Sequence, residues 1–441
     1  MTTAGTRPET ATARMPYAVM AICGGAIAFD GYDLVVYGAT LSSLREEWNL
    51  DPATAGLLGS VPLIGMLLGA MLVGSAAARF GRRTMFLATV AFFSALMAIT
   101  AAASGPELFA LLRFFAGLGL GGVMPLAAAL TTEFAPPGRR NLSYVIMQSG
   151  YPVGGVVASV LAMALLPVTD WRIMYLLGAL PLILILPFAW RLLPESEEYL
   201  DARRGGSAAV ATRKDRSGDG PASGVRTASE DSESTPSDAR STGRSPVLAG
   251  IAALFAPGYK SATVLFWTMS FCSLLFVYGI NTWLPTLMLD AGYALSSSLR
   301  FLLAFNAGAI VGGIAGGWAA DRWTPKRVVV VSFVLGAAAV LGFTSVPAEA
   351  LLLVLAAIAG YGAVGTQTLI NGWVTRSYPP HARTTGIGWS LGVGRLGGIT
   401  GPTVTGLIVA ATGAGAGAFW LFAAVGVIGA ALASGVRVKQ N

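Results

Sequence analysis

Long apolar runs broken by short polar segments set the pattern of this chain. A membrane-crossing helix takes about 20 consecutive, mainly apolar residues. Runs of that kind predict six helices at about 17–41, 55–77, 84–103, 107–131, 142–166 and 173–193. Six more follow at about 262–289, 298–320, 328–345, 350–374, 384–412 and 416–434. Between the two sets the pattern fails, because residues 201–245 contain no aromatic residue, no Leu and no Ile. A stretch so rich in Ser, Gly, Arg and Asp buries too little apolar surface to fold, and it reads as a disordered linker. The expected organisation is a tail at 1–16, a bundle at 17–200, the linker at 201–245, a second bundle at 246–434 and a tail at 435–441. The fold class is therefore an all-α polytopic membrane protein of twelve helices in two six-helix bundles.

An internal repeat relates the halves. Gly74 and Arg79 recur as Gly317 and Arg322, 243 residues on. At the same offset Gly117, Gly119 and Gly122 recur as Gly360, Gly362 and Gly365, and Pro136, Pro137 and Arg140 as Pro379, Pro380 and Arg383. Gly154-Gly155 likewise recurs as Gly397-Gly398. Parallel repeats of six helices imply a pseudo-two-fold axis along the membrane normal, with a ligand site between the halves.

Composition sharpens this reading. Only 12% of the residues are charged, against about 25% in an ordinary soluble domain. The net charge of +7 does not form a nucleic-acid patch: of the 29 Lys and Arg, all but Arg45, Arg113, Arg172, Arg300 and Arg395 fall on one predicted side. That asymmetry follows the positive-inside rule and places both termini in the cytoplasm. The first sixteen residues are too polar for a signal-peptide core, so no cleavage is expected. Cys23 and Cys272 lie apart in apolar runs and read as packing residues. No metal-ligand cluster, nucleotide loop or Ser/His/Asp set is legible, which argues against an enzyme and against a bound cofactor.

Charges inside the apolar runs carry the chemistry. A carboxylate at the centre of a membrane helix costs about 2.5–3.5 kcal/mol on insertion scales, so it faces a polar cavity or a partner. Asp30 and Asp33 sit about one turn apart in the first run and share a face. Arg113, in the fourth run, is expected at a similar depth, where it stabilises one of the two as an anion. The other, desolvated and unpartnered, is then the proton-binding group; the sequence leaves open which is which. Whether Arg113 acts directly or only structurally is open too. Arg395 falls near the midplane of the eleventh run. Its planar fork suits a substrate carboxylate, with an intraprotein partner, for example a backbone carbonyl, as the alternative. Tyr32, Gln148, Asn281, Trp283, Asn306 and Trp389 are candidate substrate contacts.

The segment Gly74-Ser-Ala-Ala-Ala-Arg79-Phe80-Gly81-Arg82-Arg83 resembles the loop motif G-x-x-x-D-R-x-G-R-R of the major facilitator superfamily, with Ala78 at the Asp position. A second copy, Gly317 to Arg327, keeps Asp321 and Arg322 but has Thr324 and Pro325 at the following loop positions. Arg113 followed by Gly117, Gly119 and Gly121 resembles the fourth-helix motif of that superfamily. The resemblance implies that Gly74, Arg79, Gly81, Arg82, Arg83, Asp321 and Arg322 form cytoplasmic latches, the first weakened by Ala78. Glu133, Arg140 and Arg383 border the same helix ends and read as a gating network or as solvated loop charges.

Within the superfamily, Asp30-Gly31-Tyr32-Asp33 is similar to the first-helix signature of the aromatic acid:proton symporters. So are the segments Tyr278 to Pro285 and Thr385 to Gly397, and the Leu193-Pro194-Glu195-Ser196 that closes the sixth run. The resemblance implies a secondary transporter in a bacterial cytoplasmic membrane. It would import a benzoate-type or hydroxybenzoate-type acid with a proton, as a monomer, driven by the proton gradient. Another organic acid, a sugar or a drug is the alternative cargo. A transporter-like sensor is the reading from a different class, and a sensor has no need of the paired carboxylates.

Overall fold

The computed structural model describes residues 9–437, apart from 137, 197–198, 201–251, 253 and 346–347. The linker expected at 201–245 lies outside the described residues, as do 1–8 and 438–441. Regular structure among the described residues is helical throughout, without a strand.

The first bundle is built from α1 (Glu9–Trp48), α2 (Pro52–Phe80), α3 (Arg82–Thr100), α4 (Pro106–Glu133), α5 (Arg140–Gln148, resuming as Gly150–Leu165) and α6. The sixth is one span in three short pieces, Arg172–Leu177, Pro181–Leu184 and Leu186–Leu192. Pro181 and Pro187 interrupt it, since proline removes a backbone donor and crowds the preceding turn. The second bundle holds α7 (Lys260–Asp290), α8 (Leu295–Arg322), α9 (Pro325–Gly342), α10, α11 (Pro380–Thr412) and α12 (Ala416–Gly435). Here α10 runs Glu349–Gly360, widens into a π-turn at Tyr361–Gly365 and ends as Thr366–Ser377. Eleven of the twelve are long and apolar enough to cross a membrane. The exception is α11, whose 33 residues are diluted by Gly, Thr and Arg395.

The repeat in the sequence is also a repeat in the packing. A Cβ on Gly154 would strike the backbone oxygen of Ala28, and one on Gly397 that of Phe271, the same pair displaced by the repeat. Gly117 against Pro62 matches Gly360 against Phe305, and Gly65 against Phe114 matches Gly308 against Ala357. Membrane helices gain little from burying apolar surface against each other, so close backbone approach through glycine holds them together.

The bundles meet on the half of the molecule opposite the termini. There Gly38 of α1 packs on the Asn281 backbone of α7, and Gly56 of α2 on the Pro402 carbonyl of α11. The hydroxyl of Ser60 reaches Thr403 at 2.7 Å. Gly155 of α5 abuts the Asn306 side chain of α8, and Arg45 faces Asp290 at 3.8 Å. On the half bearing the termini, two ion pairs among the described residues each lie within one bundle. Arg82 donates to Glu133 at 2.8 Å in the first, and Arg376 to Asp321 at 2.6 Å in the second.

Candidate functional site

The two carboxylates of α1 share a face, as their spacing requires, and both are buried. They part company in their partners. Asp33 accepts a charge-assisted hydrogen bond from the Arg113 guanidinium of α4. Arg113 is itself buried, stands 5.7 Å from the Tyr175 ring centroid and lies 3.4 Å from the sulfur of Met97. Asp30 has no hydrogen bond or ion pair among the described residues. It instead lines a cavity of about 130 Å³ between the bundles, together with Arg395, Gln148, Tyr151, Gln367 and Asn371. A much smaller void, about 10 Å³ and so roughly one water in size, lies between Asp30, Asp33, Arg113, Tyr151 and Tyr278. Asp30 thus stands at the junction between the ion pair and the cavity.

Arg395 projects from α11 into the same cavity and donates to the Met66 carbonyl of α2 at 2.8 Å. The carbonyl alternative is therefore the contact made in this state. A guanidinium has five N–H donors, so one bond to a carbonyl leaves most of the fork available to a ligand. Above the cavity, Tyr151 of the first bundle approaches Tyr278 of the second, hydroxyl to hydroxyl at 3.4 Å. That contact and the seam beyond it close the site toward the face opposite the termini. Its polar lining from α5, α10 and α11 faces the termini.

Five of the expected substrate contacts are placed elsewhere. Tyr32 is turned into its own bundle, where its hydroxyl donates to the Met174 carbonyl at 2.8 Å. Trp283 is fully buried in the seam and its Nε1 donates to the Pro402 carbonyl at 3.0 Å. Asn281 and Asn306 bond each other at 3.3 Å, and each also caps a carbonyl one turn back on its own helix. Trp389 is 41% exposed on the outer surface and stacks on Trp267, with centroids 5.4 Å apart. Residue type identified these as polar or aromatic groups in apolar helices, but the rotation of each helix sends them to packing positions. Gln148 does line the cavity.

Sequence reasoning passed over Asn371, Thr368 and Met124, which line it as well. Two signals were present. Asn371 lies one turn beyond Gln367 on the same helical face, and their side chains hydrogen-bond at 3.0 Å. Met124 is the repeat mate of Gln367, and Leu391 that of Gln148, and all four are on the wall.

The residues expected to form latches lie in local clusters. Gly81 has a φ of +94° and caps α2 with a bond from its N–H to Ala77. A side chain there would collide with the Glu195 carboxylate, which accepts from the Arg83 backbone N–H at 2.9 Å. A carboxylate at a helix N-terminus meets unpaired N–H groups and a favourable dipole. Glu133 takes Arg82 on one oxygen and Ser196 on the other at 2.9 Å. Its repeat mate is Arg376, so the halves have exchanged the sign of charge at that helix end. With Ala78 where the second half has Asp321, the anion sits at the end of α4 in one half and at the end of α8 in the other. Arg79 and Arg322 lie against Phe80 and Trp318, at 5.5 Å in both cases. Gly74 and Arg140 are exposed, and Arg383 donates to the Tyr378 carbonyl at 3.1 Å. Among the described residues no group of three or more His, Cys, Asp or Glu is placed to hold a metal.

Comparison with known proteins agrees with this architecture. The family model of the Major Facilitator Superfamily matches residues 22–316 and 298–440. The benzoate transport protein of Acinetobacter baylyi is 36% identical over 392 residues, covering 87% of this chain and 81% of that protein. The gentisate transporter of Corynebacterium glutamicum is 35% identical over 387 residues, covering 87% and 79%. The crystal structure of a D-xylose-proton symporter superposes with a TM-score of 0.75 at 18% identity, covering 97% of this chain and 98% of that one. The matched family model, the two repeated bundles and the polar cavity between them all converge: this chain is a multi-pass membrane transporter, not an enzyme, and belongs to the Major Facilitator Superfamily in the family of its benzoate and gentisate transporter relatives.

Proposed function

We infer that the protein imports an aromatic carboxylate of the benzoate or hydroxybenzoate type together with a proton, by alternating access. One observation carries the reading: Asp30, without a partner, shares a cavity with Arg395, while Asp33 is held by Arg113. A buried unpaired carboxylate and a nearby guanidinium are the groups needed to take up a proton and an organic anion. The similarity to benzoate and gentisate transporters supports an aromatic acid as the cargo.

In this mechanism Asp30 is protonated from outside and the substrate carboxylate docks on Arg395. With both charges neutralised, the cost of enclosing them in a dry cavity falls. The bundles then rock, breaking the Gly38–Asn281 and Gly56–Pro402 seam in one state and the terminus-side contacts in the other. Asp33 stays paired with Arg113 throughout, so Asp30 is the carboxylate left to carry the proton. The basic face is the cytoplasmic one, so the conformation described here is inward-facing. The working unit is the single chain in a bacterial cytoplasmic membrane, and the latch clusters around Glu133 and Asp321 re-form as the bundles move.

Uptake of radiolabelled benzoate and 4-hydroxybenzoate into proteoliposomes, with and without an inward proton gradient, tests this reading. Gradient-driven accumulation that disappears in Asp30→Asn is the expected result. Equal uptake with and without the gradient removes proton coupling, and failure of both acids to move or bind removes the aromatic cargo.

A further inference from the structure

The repeat mates on the cavity wall differ in polarity in a crossed fashion. Gln148 of α5 corresponds to Leu391 of α11, and Gln367 of α10 corresponds to Met124 of α4. Each bundle therefore contributes one amide and one apolar side chain to the same cavity. Gln367 is 7% exposed, and its Nε2 is committed to Asn371 at 3.0 Å and Ser270 at 3.5 Å. Its Oε1 is buried without a partner, and so is the Oε1 of Gln148. A buried acceptor left unpaired costs about 1–3 kcal/mol, which a ligand donor recovers. Arg395 presents only donors and takes the carboxylate, so these oxygens are matched to a hydroxyl elsewhere on the ligand.

We propose that Gln367, assisted by Gln148, is the specificity-determining residue that accepts a hydrogen bond from a ring hydroxyl, so that the site selects hydroxylated aromatic acids over unsubstituted ones. The proposal rests on the aromatic-acid reading above and adds to it the group that distinguishes one such acid from another. A methyl ether at the same ring position fills the same space but has no donor, and it is discriminated against as benzoate is.

The test uses the full chain in proteoliposomes and measures binding and uptake of benzoate, the three monohydroxybenzoates and the matching methoxybenzoates. The parent is compared with Gln367→Met and Gln148→Leu, each of which installs the side chain of its own repeat mate. The parent is expected to favour at least one hydroxybenzoate over benzoate and over its methyl ether by about ten-fold. Gln367→Met is expected to lose that preference, binding the hydroxybenzoate, its methyl ether and benzoate about equally, and a melting temperature close to that of the parent shows that the variant is folded. Two outcomes overturn the proposal alone: a parent that moves benzoate and hydroxybenzoates equally, or a Gln367→Met variant that still discriminates. A parent that neither binds nor moves any of these acids overturns the cargo reading and this proposal together.

Discussion

Arg395 spans the gap between the bundles and donates to the Met66 carbonyl at 2.8 Å. The bond ties α11 to α2 next to the cavity, so the arginine proposed to receive the substrate also holds the bundles together. A ligand carboxylate on the free part of the fork is expected to change how strongly they are held. Arg395→Ala is expected to weaken substrate binding by about 2–5 kcal/mol, the range for removing one side of a buried hydrogen-bonded charge pair. Arg395→Lys keeps the charge but loses the planar fork, and should recover only part of it. Equilibrium binding of the acid to purified protein measures both. Unchanged affinity in the alanine variant places the carboxylate elsewhere.

Asp33 and Arg113 form a pair in which neither residue has an exposed alternative. Removing one partner leaves a buried uncompensated charge, at a cost of about 3–5 kcal/mol. Asp33→Asn should therefore lower the melting temperature and the yield of folded protein. An Asp33→Leu, Arg113→Met double variant should recover much of the stability while remaining inactive. Thermal unfolding of the single and double variants in detergent decides the point. A double variant no more stable than the single would mean that the pair is not the unit.

Asp30 sits a turn away from that pair yet is expected to behave differently. Asp30→Asn removes no partner from any other group and takes away an unpaired buried carboxylate, so the variant should be no less stable than the parent. Gradient-driven accumulation should be lost while exchange of labelled for unlabelled acid continues, because exchange needs no net proton movement. Loss of exchange as well would show that Asp30 serves substrate binding or the fold and not coupling alone.

Gly38 is in contact with the Asn281 backbone across the seam, whereas Gly154 is in contact with Ala28 inside one bundle. A larger side chain at each is expected to do different things. Gly38→Val should open the face opposite the termini, read as slower cross-linking of cysteines placed at 45 and 290, where Arg45 and Asp290 now stand 3.8 Å apart. Gly154→Val should reduce folding yield instead. The reverse assignment would mean that the seam is not the surface that moves.

Asp51 precedes α2 and caps it, accepting from the Ala53 and Thr54 backbone N–H groups at 2.9 and 3.1 Å. The Thr54 hydroxyl bond, followed by those from the backbone, holds its carboxyl below the usual carboxylate range. A group whose folded pKa is depressed stabilises above its unfolded pKa, and that contribution is lost as pH falls through the folded value. Asp51→Ala should cost about 1 kcal/mol at neutral pH, typical of a lost N-cap. The difference from the parent should vanish in acid, below the ordinary range of an aspartate. Melting temperatures of both proteins across pH 3–7 would show it; a pH-independent difference would contradict the cap.

The sequence alone determined the number of helices, their division into two bundles and the repeat that relates them. Hydropathy over about 20 residues is a local quantity, and the 243-residue offset is visible because glycines such as Gly154 on Ala28 and Gly397 on Phe271 answer the same backbone contact in each half. It also singled out Asp30, Asp33, Arg113 and Arg395, because a charge in an apolar helix must be matched by something. What matches it is a tertiary fact. Only the packed structure gave Arg113 to Asp33 and left Asp30 to the cavity, since both carboxylates share one face and the depth of α4 decides between them. Only it turned Tyr32, Trp283 and Trp389 away from the site, because an aromatic side chain suits a cavity, a seam and a lipid surface equally well by composition. The rotation of each helix about its axis, fixed by neighbours distant in the chain, made that choice.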